Sequence, residues 1–312
     1  MSTTGTDSPA ADPAAAAVPG QVQEGGPAPD SRGVSLSPSR AGDFMQCPLL
    51  YRFRVIDKLP QKPSAAATRG TVVHAVLEQL FDLPRGARTP DAALRMLRPA
   101  WDELLTERPE LAELFDDGDG GVRAEELADW LSGAEKLLER YFTLEDPNRL
   151  DPARRELYVE TQLEPAEGDE DGALTLRGYV DRLDVAPGGD LRVVDYKTGK
   201  APSQQFQDKA LFQMKFYALV LWRQHGRLPR RLQLVYLGGS GDVIWYDPVE
   251  ADLLAVERKL RALWAAIREA TRTGDWRPNR TRLCGWCDHQ DLCPEFGGTP
   301  PVYPLPVVPA RD

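Results

Sequence analysis

The sequence predicts an α/β fold, a mixed central sheet flanked by helices. Three observations carry this. Five short segments rich in β-branched and aromatic residues fall in the second half of the chain, bounded by Gly/Pro turns. Longer segments with apolar residues at helical spacing lie before, between and after them. The order is helices, three strands, helix, two strands, helix, too interleaved for a bundle or a sandwich. A chain of 312 residues, 42% hydrophobic and 28% charged, has ample length to bury a core.

The elements follow in order. Residues 1–31 hold 7 Ala, 5 Pro and 4 Gly and no aromatic residue, so residues 1–33 are expected to be a disordered tail. Ser37-Pro38-Ser39 offers a hydroxyl cap for a helix from Arg40 to Tyr51. Residues 68–81, 91–106 and 122–145 read as helices, the last two strongly acidic. Asp116-Asp117-Gly118-Asp119-Gly120-Gly121 resembles a calcium loop, but no start gives Gly at position 6 and Glu at 12, so it reads as an acidic turn. Leu157–Leu163, Leu174–Val185 and Leu191–Tyr196 are strands, the last two joined by the turn Pro187-Gly188-Gly189-Asp190. Residues 203–224 form an amphipathic helix with Phe206, Ala210, Met214, Ala218 and Leu221 as its apolar stripe. Leu232–Leu237 and Val243–Tyr246 are strands around Gly238-Gly239-Ser240-Gly241, and 249–273 is a long helix. Residues 297–312, with 5 Pro, read as an extended end.

Composition narrows the function. No apolar run reaches about 18 residues, so no membrane helix is expected, and the N-terminus lacks a secretory pattern. The expectation is a cytoplasmic protein without membrane attachment. Net charge is −10, which argues against a general nucleic-acid binder, but the charge is divided. Residues 101–170 carry 22 Asp/Glu against 7 Arg/Lys, whereas 200–231 carry 7 basic residues against one acid and 257–282 carry 8 against 3. Those two stretches could present a polyanion surface or simply be solvated helix faces.

The most informative segment is Gly178-Tyr-Val-Asp181-Arg-Leu-Asp184 followed by Val193-Val-Asp195-Tyr196-Lys197-Thr-Gly199. Asp195 and Lys197 are two apart at a strand end and so share a face, with Asp181 near the end of the preceding strand. Carboxylates converging in this way hold hard divalent cations, and a lysine beside them can meet negative charge developing on a phosphoryl group. Alone, D-x-K is common and reads first as a hairpin with solvent-facing charges. Only 8 of the 38 basic residues are Lys, which sharpens the signal at Lys197.

With these residues in place, the sequence resembles the RecB-family branch of the PD-(D/E)XK nuclease superfamily over roughly residues 34–296. Five motifs occur in the family's order: Ser35-Leu-Ser37-Pro38 through Cys47-Pro48-Leu-Leu-Tyr51, Gly70-Thr-Val-Val-His74, Gly178-Tyr-Val-Asp181, Asp195-Tyr196-Lys197-Thr198-Gly199, and Gln213-Met-Lys-Phe-Tyr217. Val194 stands where the superfamily's name has proline, as is usual in this branch. The resemblance implies a restriction-endonuclease-like core with a helical insertion at about 85–150. It implies that His74, Asp181, Asp195 and the Tyr196 carbonyl bind Mg²⁺ or Mn²⁺. It makes Lys197 the residue that positions the attacking water, and places Gln213 and Tyr217, one helical turn apart, beside the site and against DNA. Glu160 is a weaker expectation for a further metal or water contact.

Cys284, Cys287 and Cys293 form a C-x₂-C-x₅-C cluster within 284–293, a spacing more typical of metal or cluster sites than of disulfides; Cys47 is the fourth cysteine. The resemblance extends to the iron–sulfur variant of the family, which implies that these four hold a [4Fe–4S] cluster tying the chain ends together. Four thiolates also suit Zn²⁺, and His289 could replace one of them. Trp286 is expected to shield the site from solvent. The implied activity is a metal-dependent deoxyribonuclease, an exonuclease on single-stranded or frayed DNA ends in repair or recombination. A CRISPR adaptation nuclease and, in another class, a non-catalytic iron–sulfur DNA-binding module are the alternatives. No Walker A motif is present, so unwinding would need a helicase or other repair partner.

Overall fold

The structure, a computed structural model, describes residues 35–119, 121–165 and 172–303, the side chain of Phe206 excepted. The expected tail 1–33 and residues 304–312 of the expected C-terminal end lie outside the described residues. Among the described residues the strands are β1 (Ser35–Leu36), β2 (Arg154–Leu163), β3 (Leu174–Val185), β4 (Leu191–Lys197), β5 (Arg231–Tyr236) and β6 (Asp242–Tyr246). The α-helices are α1 (Pro38–Gln46), α2 (Pro48–Tyr51), α3 (Ala65–Leu80), α4 (Pro90–Glu107), α5 (Ala124–Leu144), α6 (Gln207–His225) and α7 (Glu250–Thr273).

The sheet order is β1-β3-β4-β5-β6, with β2 on the other edge of β3. Antiparallel β2 runs along β3 from Leu163↔Leu174 to Arg154↔Leu183. The opposite edge of β3 is shared by two strands. Parallel β1 takes Thr175 and Leu176, and antiparallel β4 takes Arg182 to Val185. Residues 177–181 therefore have no strand partner on that edge. β4 and β5 pair in parallel from Arg192↔Arg231 to Lys197↔Tyr236, which requires a crossover; α6 supplies it.

Helices cover both faces. Val193, Leu232 and Leu234 look toward α1, α6 and α7, where Ala41, Met214, Phe216, Leu219, Leu253 and Leu260 are buried. Val194, Tyr196, Val235 and Leu237 look toward α3, α4 and α5, where Val73, Leu77, Trp101, Trp130 and Leu138 are buried. Alternate residues of β4 thus enter opposite cores, as a strand's twofold periodicity requires, and both neighbours are apolar because both faces are covered.

Local chemistry explains where the predicted elements shift. The helix expected over 40–51 is two helices, because Cys47 is extended (φ −163°, ψ 115°). Pro48 disfavours helical backbone at the residue before it and opens α2 at its first position. In the predicted apolar stripe of α6, Met214, Ala218 and Leu221 are buried and Ala210 is partly so. β1, two residues long, is too short for any periodicity to announce. Residues 297–303 form no regular element, but they are pinned: Arg52 donates to the Pro301 carbonyl and the Tyr303 hydroxyl donates to Thr271 O (3.0 Å). No helix among the described residues is long and apolar enough to cross a membrane.

Candidate active site

The site lies where β3 and β4 part. Their ladder ends at Arg182↔Val194, and one further step would set Asp181 opposite Asp195. The same step between β2 and β3 sets Glu156 opposite Asp181. Three carboxylates thus stand in one row across three strands. Glu156 has φ +41°, a left-handed conformation costing a non-glycine residue about 1–2 kcal/mol, and the β2–β3 ladder skips it. At the fork, Asp181 Oδ2 accepts the amide of Tyr196 (2.7 Å).

α3 delivers the imidazole. Its buried side, Val72, Val73, Val76 and Leu77, packs in the core and leaves His74 half-buried at the rim. His74 Nε2 lies 2.9 Å from the Tyr196 carbonyl oxygen and Nδ1 lies 3.4 Å from Asp181 Oδ2. Ligand atoms of His74, Glu156 and Asp181 all fall within 4.8 Å of one another, a geometry that could hold a cation. The electrostatics agree. Burial, and then the charges of Asp181, Glu78 and Asp195, push the Glu156 carboxyl up to about 7. Burial and then Asp181 push Asp195 up to about 7, against the pull of Lys197. A divalent cation would relieve this repulsion, so the donor set fits Mg²⁺ or Mn²⁺.

On the α6 side, Lys197 Nζ lies 2.7 Å from Asp195 Oδ2 and donates to Gln213 Oε1 (2.8 Å). Gln213 Nε2 donates to Asp195 Oδ1 (3.0 Å) and to the Tyr217 hydroxyl (3.2 Å). Burial pushes the Tyr217 hydroxyl up to about 12. The Tyr217 ring lies over Gly178, where an added Cβ would sit 2.6 Å from Tyr217 Cε1. Lys197, Gln213 and Tyr217 line a groove of about 1260 Å³ between α1, α6, α7 and the β2–β3 hairpin.

The structure thus brings His74, Asp181, Asp195, Tyr196, Lys197, Gln213 and Tyr217 together. The expectation for Glu160 is corrected. It is exposed, and its carboxylate takes the Tyr158 hydroxyl; Glu156, four residues earlier on the same strand, occupies the cluster instead. Also unforeseen is the anchor behind Tyr196. Arg182, 1% exposed, donates to both oxygens of Glu145 (2.8 and 2.9 Å), pairs with Asp184 (3.1 Å) and donates to the Tyr196 hydroxyl. Gln233 also donates to Glu145 (2.9 Å). An arginine between two aspartates in Asp181-Arg182-Leu183-Asp184 was the available signal.

The four cysteines are free, half-buried and line one cavity with Leu49, Phe53 and His289. No three of their sulfurs lie within 4.8 Å of one another. His289 is buried, its Nε2 has no hydrogen-bond partner, and burial lowers its pKa. The shielding role expected of Trp286 is not found: the residue is 80% exposed, because its short 3₁₀ turn buries none of its side chains. The basic stretches are only partly available. Arg223 and Arg261 share Glu257, Arg231 pairs with Asp247, and Arg277 pairs with Asp275.

A helix-flanked mixed sheet with carboxylates, a histidine and a lysine at a strand fork defines a class of metal-dependent phosphodiesterases. The sequence profile of the PD-(D/E)XK nuclease superfamily matches residues 35–294, and the chain belongs to that superfamily and is a nuclease. It is 28% identical over 285 residues to the Gene 69 protein of Mycobacterium phage D29, covering 83% of this chain and 96% of that protein. It is 23% identical over 286 residues to the Gene 69 protein of Mycobacterium phage L5, with the same coverage. In fold it is similar to the crystal structure of a provisionally assigned exonuclease from Eubacterium rectale, with a TM-score of 0.50 and 14% identity over 88% of this chain and 91% of that one.

Proposed function

We propose that the protein is a Mg²⁺- or Mn²⁺-dependent exonuclease acting on single-stranded or frayed DNA ends in repair or recombination. The observation that carries this reading is the fork itself, where His74, Glu156 and Asp181 close to within 4.8 Å beside the Asp195–Lys197 pair. His74, Glu156, Asp181, Asp195 and the Tyr196 carbonyl would hold the cation. When bound, it polarises a phosphate and lowers the pKa of water. Lys197, held by Asp195 and Gln213, orients the attacking water and meets charge developing on the phosphate. Gln213 fixes the Lys197 amine and the Asp195 carboxylate at once, and Tyr217 borders the groove that receives the strand. Arg182 and Glu145 hold the Tyr196 ring, and so position its backbone amide and carbonyl at the fork. The acidic helix α5, with the end of α4, lies on the opposite face of the sheet and stays off the DNA.

For the cysteine cavity we propose a [4Fe–4S] cluster. Thiols from both ends of the domain line it together, and four thiolates are the ligand set such a cluster takes. Iron content and the visible spectrum of anaerobically purified protein check this; a colourless, zinc-containing protein contradicts it. The nuclease reading is tested on end-labelled single-stranded DNA with Mn²⁺ or Mg²⁺, with Asp195→Ala alongside. Metal-dependent degradation, lost in the variant, is expected. Failure of intact protein to cut any DNA end removes the reading.

A further inference from the structure

The groove beside Lys197 carries an aromatic and cationic feature that hydrolysis does not use. Tyr179 projects from β3 with 45% of its surface exposed. It is not a loose surface ring. It packs at 5.3 Å against Tyr158, whose hydroxyl is tied to Glu160. Both tyrosines line the groove, and so do Arg177 and Arg40.

The charges here differ from the paired arginines elsewhere. Arg40 donates to the Ser35 carbonyl and hydroxyl (3.0 Å each) rather than to a carboxylate, and Arg177 stands across the β2–β3 ladder from Glu160. Burial, and then the neighbouring Arg177, hold the Arg40 guanidinium below its ordinary pKa. Arg40 thus lies beside a second cation with no ion-pair partner of its own among the described residues, an arrangement that a phosphate would relieve. The groove as a whole is lined by six Lys/Arg and two Asp, in a protein whose net charge is −10.

Position supplies the rest of the argument. Tyr179 stands two residues before Asp181, about 7 Å along the strand. It lies within residues 177–181, the stretch of β3 left without a strand partner between β1 and β4. An aromatic face, flanking cations and an open strand edge next to hydrolytic carboxylates match the way proteins hold unpaired bases by stacking and their backbone by charge.

We propose that Tyr179, braced by Tyr158 and flanked by Arg177 and Arg40, is a base-stacking subsite. It receives an unpaired nucleotide of the DNA strand whose scissile phosphate lies at the Asp181–Asp195 fork. The proposal rests on the nuclease reading and adds the feature that selects single strands over duplex.

The test uses the full-length protein in EDTA, so that binding is read without turnover. The probe is a short oligothymidylate carrying 2-aminopurine at successive positions. Fluorescence quenching confined to one or two positions is expected in the native protein and in Tyr179→Trp, and lost in Tyr179→Ala. Tyr179→Ala should weaken single-strand binding by about 5- to 150-fold, the equivalent of ~1–3 kcal/mol for one stacked base, and leave blunt-duplex binding within about twofold. Arg177→Gln should weaken single-strand binding and reduce its salt slope by about one unit. Position-independent quenching, quenching that survives Tyr179→Ala, or equal losses on single and double strands would overturn the subsite. Cleavage that persists in Asp195→Ala would overturn the assignment of the fork instead, leaving the quenching pattern to be judged on its own.

Discussion

Glu156, Asp181 and Asp195 repel one another at the open end of the sheet, and that repulsion is measurable without substrate. Glu156 and Asp195 keep protons up to about pH 7 in the folded chain, whereas unfolded carboxyls release theirs near pH ~4. Between those values the folded state binds more protons, so stability of the metal-free protein falls as pH rises through that window. Melting curves in EDTA from pH 4.5 to 8 should show a declining Tm above pH ~5, and excess Mg²⁺ or Mn²⁺ should restore it at the alkaline end. A Tm in EDTA independent of pH would contradict the arrangement. Glu156→Gln should flatten the decline and weaken Mn²⁺ binding by ~10-fold or more, read by calorimetry. Asp181, Asp195 and Lys197 were legible in the sequence because strand alternation and D-x-K spacing are local. Glu156 was not. It shares its strand with Glu160, and only the pairing register and a left-handed backbone set it across from Asp181.

The elements carry the second level of constraint. β3 serves two neighbours on one edge, and its bare middle exists only because β1 stops at Leu36 and the β3–β4 ladder ends at Val194. Gly178 sits in that stretch with the Tyr217 ring against it. Gly178→Ala should push Tyr217 off Gln213 and lower kcat/KM for DNA by about tenfold or more, with little change in secondary structure by circular dichroism. Wild-type turnover in that variant would mean Tyr217 is dispensable. The C-terminal cap of α5 is a second tie, since Glu145 there neutralises buried Arg182. Glu145→Ala strands a buried guanidinium and should cost about 3–5 kcal/mol in denaturant unfolding. Helix and strand positions were largely legible, because six of the seven helices and most of the strand length follow simple periodicity. The break at Cys47 and the strand β1 were not, since a two-residue pairing and a proline's effect on its predecessor carry no repeat to detect.

At the scale of the molecule, α1, α6 and α7 cover one face of the sheet and α3, α4 and α5 the other, and the charge follows the layers. The acidic helices back the sheet and the cationic groove opens on the opposite side. Net composition concealed this, because arginines of 200–231 and 257–282 such as Arg223, Arg231 and Arg277 are spent in ion pairs that only packing reveals. The cysteine cavity joins Cys47 to Cys284, Cys287 and Cys293 across most of the described chain. Cys287→Ala should therefore lose iron and lower Tm by several degrees; an unchanged Tm would show that the cavity holds nothing structural. The edge of β3 shared by β1 and β4 has a further consequence for how the protein is made. During synthesis β1 waits for Thr175 and Leu176 before it has anything to pair with, and Cys47 waits longer still. The groove takes one wall from residues 37–46 and another from Thr281 and Leu283, the last of its lining to leave the ribosome. A nascent chain can therefore carry Glu156, Asp181, Asp195 and Lys197 and still lack the groove beside them, which is complete only once residues 37–46 and Thr281 and Leu283 are all in place.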